Sequence, residues 1–106
     1  MDLVLDRLVH EPARLAIMTV LSYVADAEFV FLQRATGLTK GNLSSHLAKL
    51  EEAGLIRIEK RFVQKKPSTN VALTEDGKGR IVAHWEQLER LKRLSHATTS
   101  QPRSPS

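Results

Sequence analysis

The chain contains no cysteine. Disulfides, thiolate metal sites and cysteine nucleophiles are therefore excluded. It also lacks a long apolar run, since no stretch approaches the roughly 20 residues a membrane helix needs. Asp2, Asp6 and Arg7 break up the start of the chain, where a secretory leader would need an uninterrupted apolar segment. A soluble, cytoplasmic protein without membrane contact is the expectation. The histidines His10, His46, His84 and His96 show no metal-ligand spacing and no HExxH-like arrangement. No nucleophile elbow or phosphate loop accompanies Ser44 and Ser45. No enzymatic role and no cofactor are expected. There is no internal repeat, and 106 residues suit one small domain. Strong charge is missing too: Lys plus Arg number 16 against 12 Asp plus Glu, a net +4. That is too little for a general nucleoid or RNA-coating protein, but it permits an anionic partner where the cations cluster.

What is present is a series of short amphipathic segments. Leu3, Leu5, Leu8 and Val9 suggest a short first helix. Pro12 fits a first helical position, where its missing N–H costs nothing. Leu15, Met18, Leu21 and Ser22 or Ala25 follow as the stripe of a central helix, widened by Ile17 and Val24. A β-prone run is centred on Phe29 and Val30, and a two-turn helix then ends at Gly37. Thr39 is a good N-cap for a helix closed by Gly54. Helix, three-residue turn and helix make a helix-turn-helix. Leu55–Phe62 and Thr69–Thr74 read as two strands, with a bulge or twist where Leu55, Ile58 and Phe62 fail to alternate. The basic connection Val63–Ser68 would form the tip of the hairpin. A last helix is expected from about Thr74 to Ser95, with the stripe Ile81, Trp85, Leu88 and Leu91. Gly77 and Gly79 should weaken only its start. The polar segment 97–106 is expected to be disordered, leaving residues 1–96 as the domain.

The helix between Thr39 and Gly54 has one unusual face. On a wheel of about 100° per residue, Leu47 and Leu50 each lie within about 40° of Leu43. Gly41, Ser44, Ser45 and Ala48 occupy the opposite side, with Asn42 and Lys49 at its margin. A solvated helix with accidentally small residues is one reading. The other is a helix slim and polar enough to enter a DNA major groove, where Ser, Asn and Lys can meet bases or phosphates. The hairpin after it carries Lys60, Arg61, Lys65 and Lys66, and this favours the second reading. Trp85 suits core packing, a dimer interface, or both. The final helix is too long for a small domain to cover, so Leu3, Leu5, Leu8, Ile81, Trp85, Leu88 and Leu91 are candidates for a dimer interface.

Three segments, "EPARLAIMTVL", "FVFLQRATGLTKGNLSSHLAKLEEAGLIRIEK" and "KPSTNVALTEDGKGRI", together resemble winged-helix DNA-binding transcriptional regulators of the MarR/ArsR type. The resemblance covers roughly Leu5 to Leu94. It implies an α+β winged helix-turn-helix with a long C-terminal dimerisation helix. It further implies a homodimer on double-stranded DNA, contacted by Thr39, Lys40, Gly41, Asn42, Ser44, Ser45, His46 and Lys49 of the recognition helix. In the wing it points to Gln64, Lys65, Lys66, Pro67 and Thr69. The cysteine motifs of the metal-sensing branch are absent, and the chain is shorter than the drug-sensing branch. No effector can be named. The expected function is a dimeric, sequence-specific regulator, more readily a repressor than an activator. The alternative is a winged helix used as a protein–protein interaction module without DNA binding.

Overall fold

A computed structural model of the chain describes residues 6–99, with side chains to residue 96. Leu3 and Leu5 lie outside the described residues. The first helical turn, α1 (Arg7–His10), is capped by Asp6, whose carboxylate accepts the Leu8 and Val9 N–H groups at 3.1 and 3.4 Å. Helix α2 (Pro12–Leu21) starts on Pro12, and the Glu11 carboxylate accepts the Arg14 N–H at 2.9 Å. It ends sooner than the apolar stripe suggests. The Ser22 hydroxyl bonds the Thr19 carbonyl at 2.6 Å, the local competition that makes Ser a poor helix continuer. Val24 and Ala25 therefore fall in an exposed turn, while Ile17, Met18 and Leu21 are buried.

Strand β1 is only Ala27–Glu28, and Phe29 and Val30 already belong to α3 (Phe29–Thr36). This corrects the strand expected around those two residues. Two residues suffice to pair β1 with β3 (Ala27↔Val71, Glu28↔Asn70). Phe29 then turns to pack on the core beside Leu32. Gly37 closes α3 at φ 73, a left-handed conformation that glycine adopts without a Cβ penalty. Thr39 Oγ1 accepts the Asn42 N–H at 3.1 Å and opens α4 (Lys40–Glu52). The helix-turn-helix stands as expected.

Strands β2 (Ile56–Val63) and β3 (Lys66–Leu73) form an antiparallel hairpin, and the sheet order is β1-β3-β2. Their pairing runs without interruption from Ile56↔Leu73 to Val63↔Lys66, so the expected bulge is absent. The hairpin is longer than expected because only Gln64 and Lys65 form the turn. Both have positive φ, 51° and 66°, the pattern of a primed two-residue turn whose twist matches the strands. Pro67 faces Phe62, next to the turn-closing pair. That is a non-hydrogen-bonded position, where proline's missing donor leaves no gap in the ladder.

The core is built from Ile17, Met18, Leu21, Leu32, Leu43, Leu47, Leu50, Leu55, Val71, Leu73 and Ile81. The last helix, α5 (Glu75–Thr99), is capped by Thr74. The Thr74 hydroxyl accepts the Gly77 N–H at 3.0 Å and donates to the Gly54 carbonyl at 2.6 Å. Gly77 does more than weaken the start of α5. A Cβ there would overlap the Leu55 carbonyl oxygen, so the helix can approach the Leu55 backbone, just before β2, only because the residue is glycine. The backbone of α5 continues to Thr99, into the segment expected to be a disordered tail. Its 25 residues span about 37 Å at 1.5 Å per residue. Ile81 is 1 % exposed and belongs to the protomer's own core, which corrects its place among the interface candidates. Trp85 and Leu8 pack on that core while half-buried, and Leu88 and Leu91 lie outside it.

Candidate nucleic-acid interface

Helix α4 presents its two sides as the sequence pattern demands. Leu43, Leu47 and Leu50 are at most 3 % exposed, while Lys40, Gly41, Asn42, Ser44, Ser45, Ala48 and Lys49 are all exposed. Burying the leucines fixes the rotation of the helix, and that rotation delivers the slim face to the surface. The Thr39 cap fixes where the helix begins. The face therefore follows from the cap and three core leucines, with no contact of its own.

The hairpin stands beside this face. Between α3, α4 and the hairpin lies a groove of about 840 Å³. Lys40, Ser44 and Ala48 line one wall of it, and Lys60, Lys66 and Thr69 line the other. Lys60 was legible in the sequence as part of a basic run but not as part of a site. Its register partner is Thr69, and residues directly opposite in a ladder share one face. That alternation was the missing signal. Gln33, from α3, also lines the groove and was not foreseen. Gln64 and Pro67 line its outer end, whereas Lys65 sits in the turn itself.

Charge is not spread evenly over the cations. Arg61 does not line the groove and lies beside Asp26. Its guanidinium bonds Glu59 at 2.8 Å and lies 3.6 Å from Asp26. These carboxylates, Glu59 foremost, raise its pKa, so its charge is locally compensated. Among the described residues, Lys40, Lys49, Lys60, Lys65 and Lys66 form no ion pair. Glu28 and Glu51 also line the groove. An anionic chain would therefore sit toward the hairpin and the N-terminal half of α4, away from Glu51.

His46 differs from its neighbours on α4. Its Nδ1 is 3.1 Å from Arg14 Nη1 and 3.7 Å from Glu11 Oε2. A guanidinium can only donate, so Nδ1 accepts and the ring proton sits on Nε2. Arg14 is itself held by a 2.7 Å bond to the Leu8 carbonyl. Burial acts to raise the Glu11 pKa, but the Arg14 and Ala13 N–H groups and the Arg14 charge together lower it. His46 thus ties α4 to the start of α2, leaving only its Nε2 edge for any outside contact.

Among the described residues, no cluster of three His, Asp or Glu side chains is placed to hold a metal ion. No helix among them is long and apolar enough to cross a membrane.

Residues 13–92 match the family described as "Winged helix DNA-binding domain". The chain is 31% identical over 72 residues to an uncharacterized protein of Methanocaldococcus jannaschii, covering 68% of this chain and 78% of that protein. Among solved structures it is similar to a transcriptional regulator homologue from Pyrococcus horikoshii OT3, with 31% identity and a TM-score of 0.78. That match covers 83% of this chain and 87% of the other. A MarR-family regulator from Enterococcus faecalis V583 shares the fold at 23% identity and a TM-score of 0.65, covering 90% of this chain and 82% of the other.

Proposed function

The chain belongs to the winged-helix DNA-binding domain family, and on that premise we propose that it is a dimeric, sequence-specific, MarR-like transcriptional regulator acting by repression. One observation carries the reading: a recognition helix whose exposed face is Gly41, Ser44, Ser45 and Ala48 stands beside a hairpin bearing unpaired lysines. The absence of bulk on α4 lets backbone and short side chains approach base edges, which a face of Glu and Lys would prevent. Asn42, Ser44, Ser45 and Lys49 are the candidates for base or phosphate contact. Thr39, Lys40 and Gly41 would sit where α4 first meets the duplex. Gln64, Lys65, Lys66, Pro67 and Thr69, with Lys60, would hold the phosphate backbone and set register and affinity.

The dimer part of the proposal rests on α5. Leu88 and Leu91 form an apolar stripe outside the protomer core, and Trp85 is shared between core and surface. Pairing α5 with its copy across a two-fold axis would bury that stripe. It would also set two recognition helices about 34 Å apart, one turn of DNA. Repression by occupancy is the mode that needs nothing but binding. On this reading residues 1–96 are the binding unit, and residues 97–106 lie outside it.

Selection of bound sequences from random duplex DNA tests the proposal. A palindromic consensus with half-sites about 10 base pairs apart is the expected result. Recovery of no consensus would overturn sequence-specific recognition, and a single asymmetric half-site would overturn the dimer.

A further inference from the structure

The end of the hairpin carries a feature that phosphate binding does not use. Beyond Asn70, the last residue of β3 paired on both sides, four pairs project: Lys60↔Thr69, Arg61↔Ser68, Phe62↔Pro67 and Val63↔Lys66. At about 3.4 Å per residue they extend roughly 13 Å from the sheet. Phe62 is 79% exposed and Val63 50% exposed. Neighbours along a strand point to opposite faces, so the ribbon is apolar on both faces near its tip, with Pro67 opposite Phe62. A strand solvated on one side would put a polar residue at one of the two positions. Around this apolar tip stand the uncompensated Lys60, Lys65 and Lys66. Its partner must therefore offer dense negative charge outside and an apolar interior reached through a narrow opening. The stacked bases of a duplex between its phosphate walls meet that description, and Val63 and Pro67 of the tip line the groove beside α4.

We propose that Phe62 is a wedge. Its ring enters the minor groove beside the half-site under α4 and unstacks a base step there, so that the protein bends its DNA. The proposal rests on the DNA-binding reading of α4 and the hairpin. Apolar side chains inserted in this way kink a duplex by about 20–90° toward the major groove. The inserted step lies about 5 base pairs from the half-site centre, half a helical turn. Pyrimidine–purine steps unstack most easily, so TA or CA should be preferred at that position although no side chain reads its bases.

The test uses the wild-type chain, Phe62→Ala and Phe62→Leu on a selected duplex. 2-Aminopurine is placed at the outer step, and a donor–acceptor dye pair at the ends reports the bend. Because Phe62 is exposed, both variants should keep the wild-type circular dichroism. The wild type should shorten the end-to-end distance and raise the 2-aminopurine fluorescence. Phe62→Ala should lose both signals and bind about tenfold or more weakly, while Phe62→Leu keeps part of the bend. Tight binding with equal bending by the wild type and Phe62→Ala would overturn the wedge and leave the DNA-binding reading standing. No binding to any duplex would overturn both. The same proteins are titrated with vesicles of phosphatidylserine and phosphatidylcholine. Vesicle binding that depends on Phe62, with DNA bending that does not, would assign the tip to a membrane surface and overturn the proposal.

Discussion

His10 Nδ1 lies 3.2 Å from His84 Nε2, with the ring planes tilted by 50°. One nitrogen donates and the other accepts, so the two share a single proton. His84 is 1% exposed and its Nδ1 has no hydrogen-bond partner. An unpaired lone pair is cheaper to bury than an unpaired N–H, which puts the His84 proton on Nε2, donating to His10. The pair joins α1 to α5 beside a second link, Arg80 to Asp6 at 2.6 Å. Arg14, held by the Leu8 carbonyl of α1, donates to His46 on α4. Side chains thus connect the long helix to α4 through α1.

This arrangement sets a pH dependence. Burial, and then the neighbouring His10, hold His84 below its ordinary pKa, against an opposing pull from Asp6. The unfolded chain therefore takes up this proton at a higher pH than the folded chain does. Stability is unaffected above the unfolded value, about 6.5, and falls as the pH drops through and below it. Urea midpoints measured between about pH 8 and pH 5 should show the loss, and His84→Leu should flatten it. An equally steep loss in His84→Leu would assign the effect to other groups.

Two glycines on α5 should respond to alanine with opposite signs. At Gly77 a Cβ meets the Leu55 backbone, whereas at Gly79 nothing lies within 4 Å. Gly77→Ala forces the start of α5 away from the Leu55 backbone and should cost at least about 1–3 kcal/mol, the scale of overpacking. Gly79→Ala should stabilise by about 0.5–1 kcal/mol, the helix-interior difference between the two residues. Chemical denaturation of both variants checks the pair. Stabilisation by Gly77→Ala would refute the docking contact.

Lys65→Gly should separate stability from binding. Lys65 holds φ 66°, a left-handed conformation that costs a side chain about 1–2 kcal/mol. Removing the side chain relieves that strain and should raise stability by about 0.5–1 kcal/mol after glycine's entropic cost. It also removes a cation, so the slope of log K against log salt should shrink by about 0.9. Lys65→Ala with Lys66→Ala should shrink it by up to about 2. An unchanged slope in the double variant would remove the hairpin tip from the DNA surface.

On the slim face, Ser44→Glu or Ser45→Glu places bulk and negative charge where α4 would meet bases. Both serines are exposed and neither touches the core, so circular dichroism should not change. Specific binding should fall by at least about 1–3 kcal/mol, the scale of one good base contact. Wild-type affinity in both variants would place the recognition surface elsewhere.

Much of the site was readable because its signals are local. Thr39, Gly37, Gly54 and Thr74 act on the turn in which they stand. Leu43, Leu47 and Leu50 define a face by spacing alone. The misreadings share a different cause: each depended on a partner far along the chain. Phe29 and Val30 look β-prone, but the pairing that ends β1 is set by Asn70 and Val71. The sequence suggests a longer hairpin turn because Gln64 and Lys65 are not the Asn or Gly that two-residue turns favour. Ile81 fits an interface stripe by periodicity, yet the protomer's own core takes it up first. Periodicity gives the direction a side chain takes from its helix; it does not give what stands in that direction.

The dimer is the remaining prediction, and it turns on the far half of α5. Ile81 and His84 are consumed by the protomer, at 1% exposure each, so any partner must be met by residues after them. Leu88 and Leu91 stand one turn apart on that stretch, outside the core cluster and half-exposed. Together with Trp85 they supply an apolar strip whose burial would be worth about 1.5–3 kcal/mol per fully covered large side chain. Because a two-fold axis uses each residue twice, Leu88→Glu with Leu91→Glu would bring four carboxylates to one seam. Sedimentation should show a wild-type dimer and a monomeric variant. With two half-sites no longer bound as one unit, operator affinity should fall by a factor on the order of 10²–10⁴, while binding to an isolated half-site stays within about twofold, since α4 is untouched. A wild type that sediments as a monomer at tens of micromolar, and still binds a palindromic site tightly, would refute the dimer and leave each winged helix to act alone.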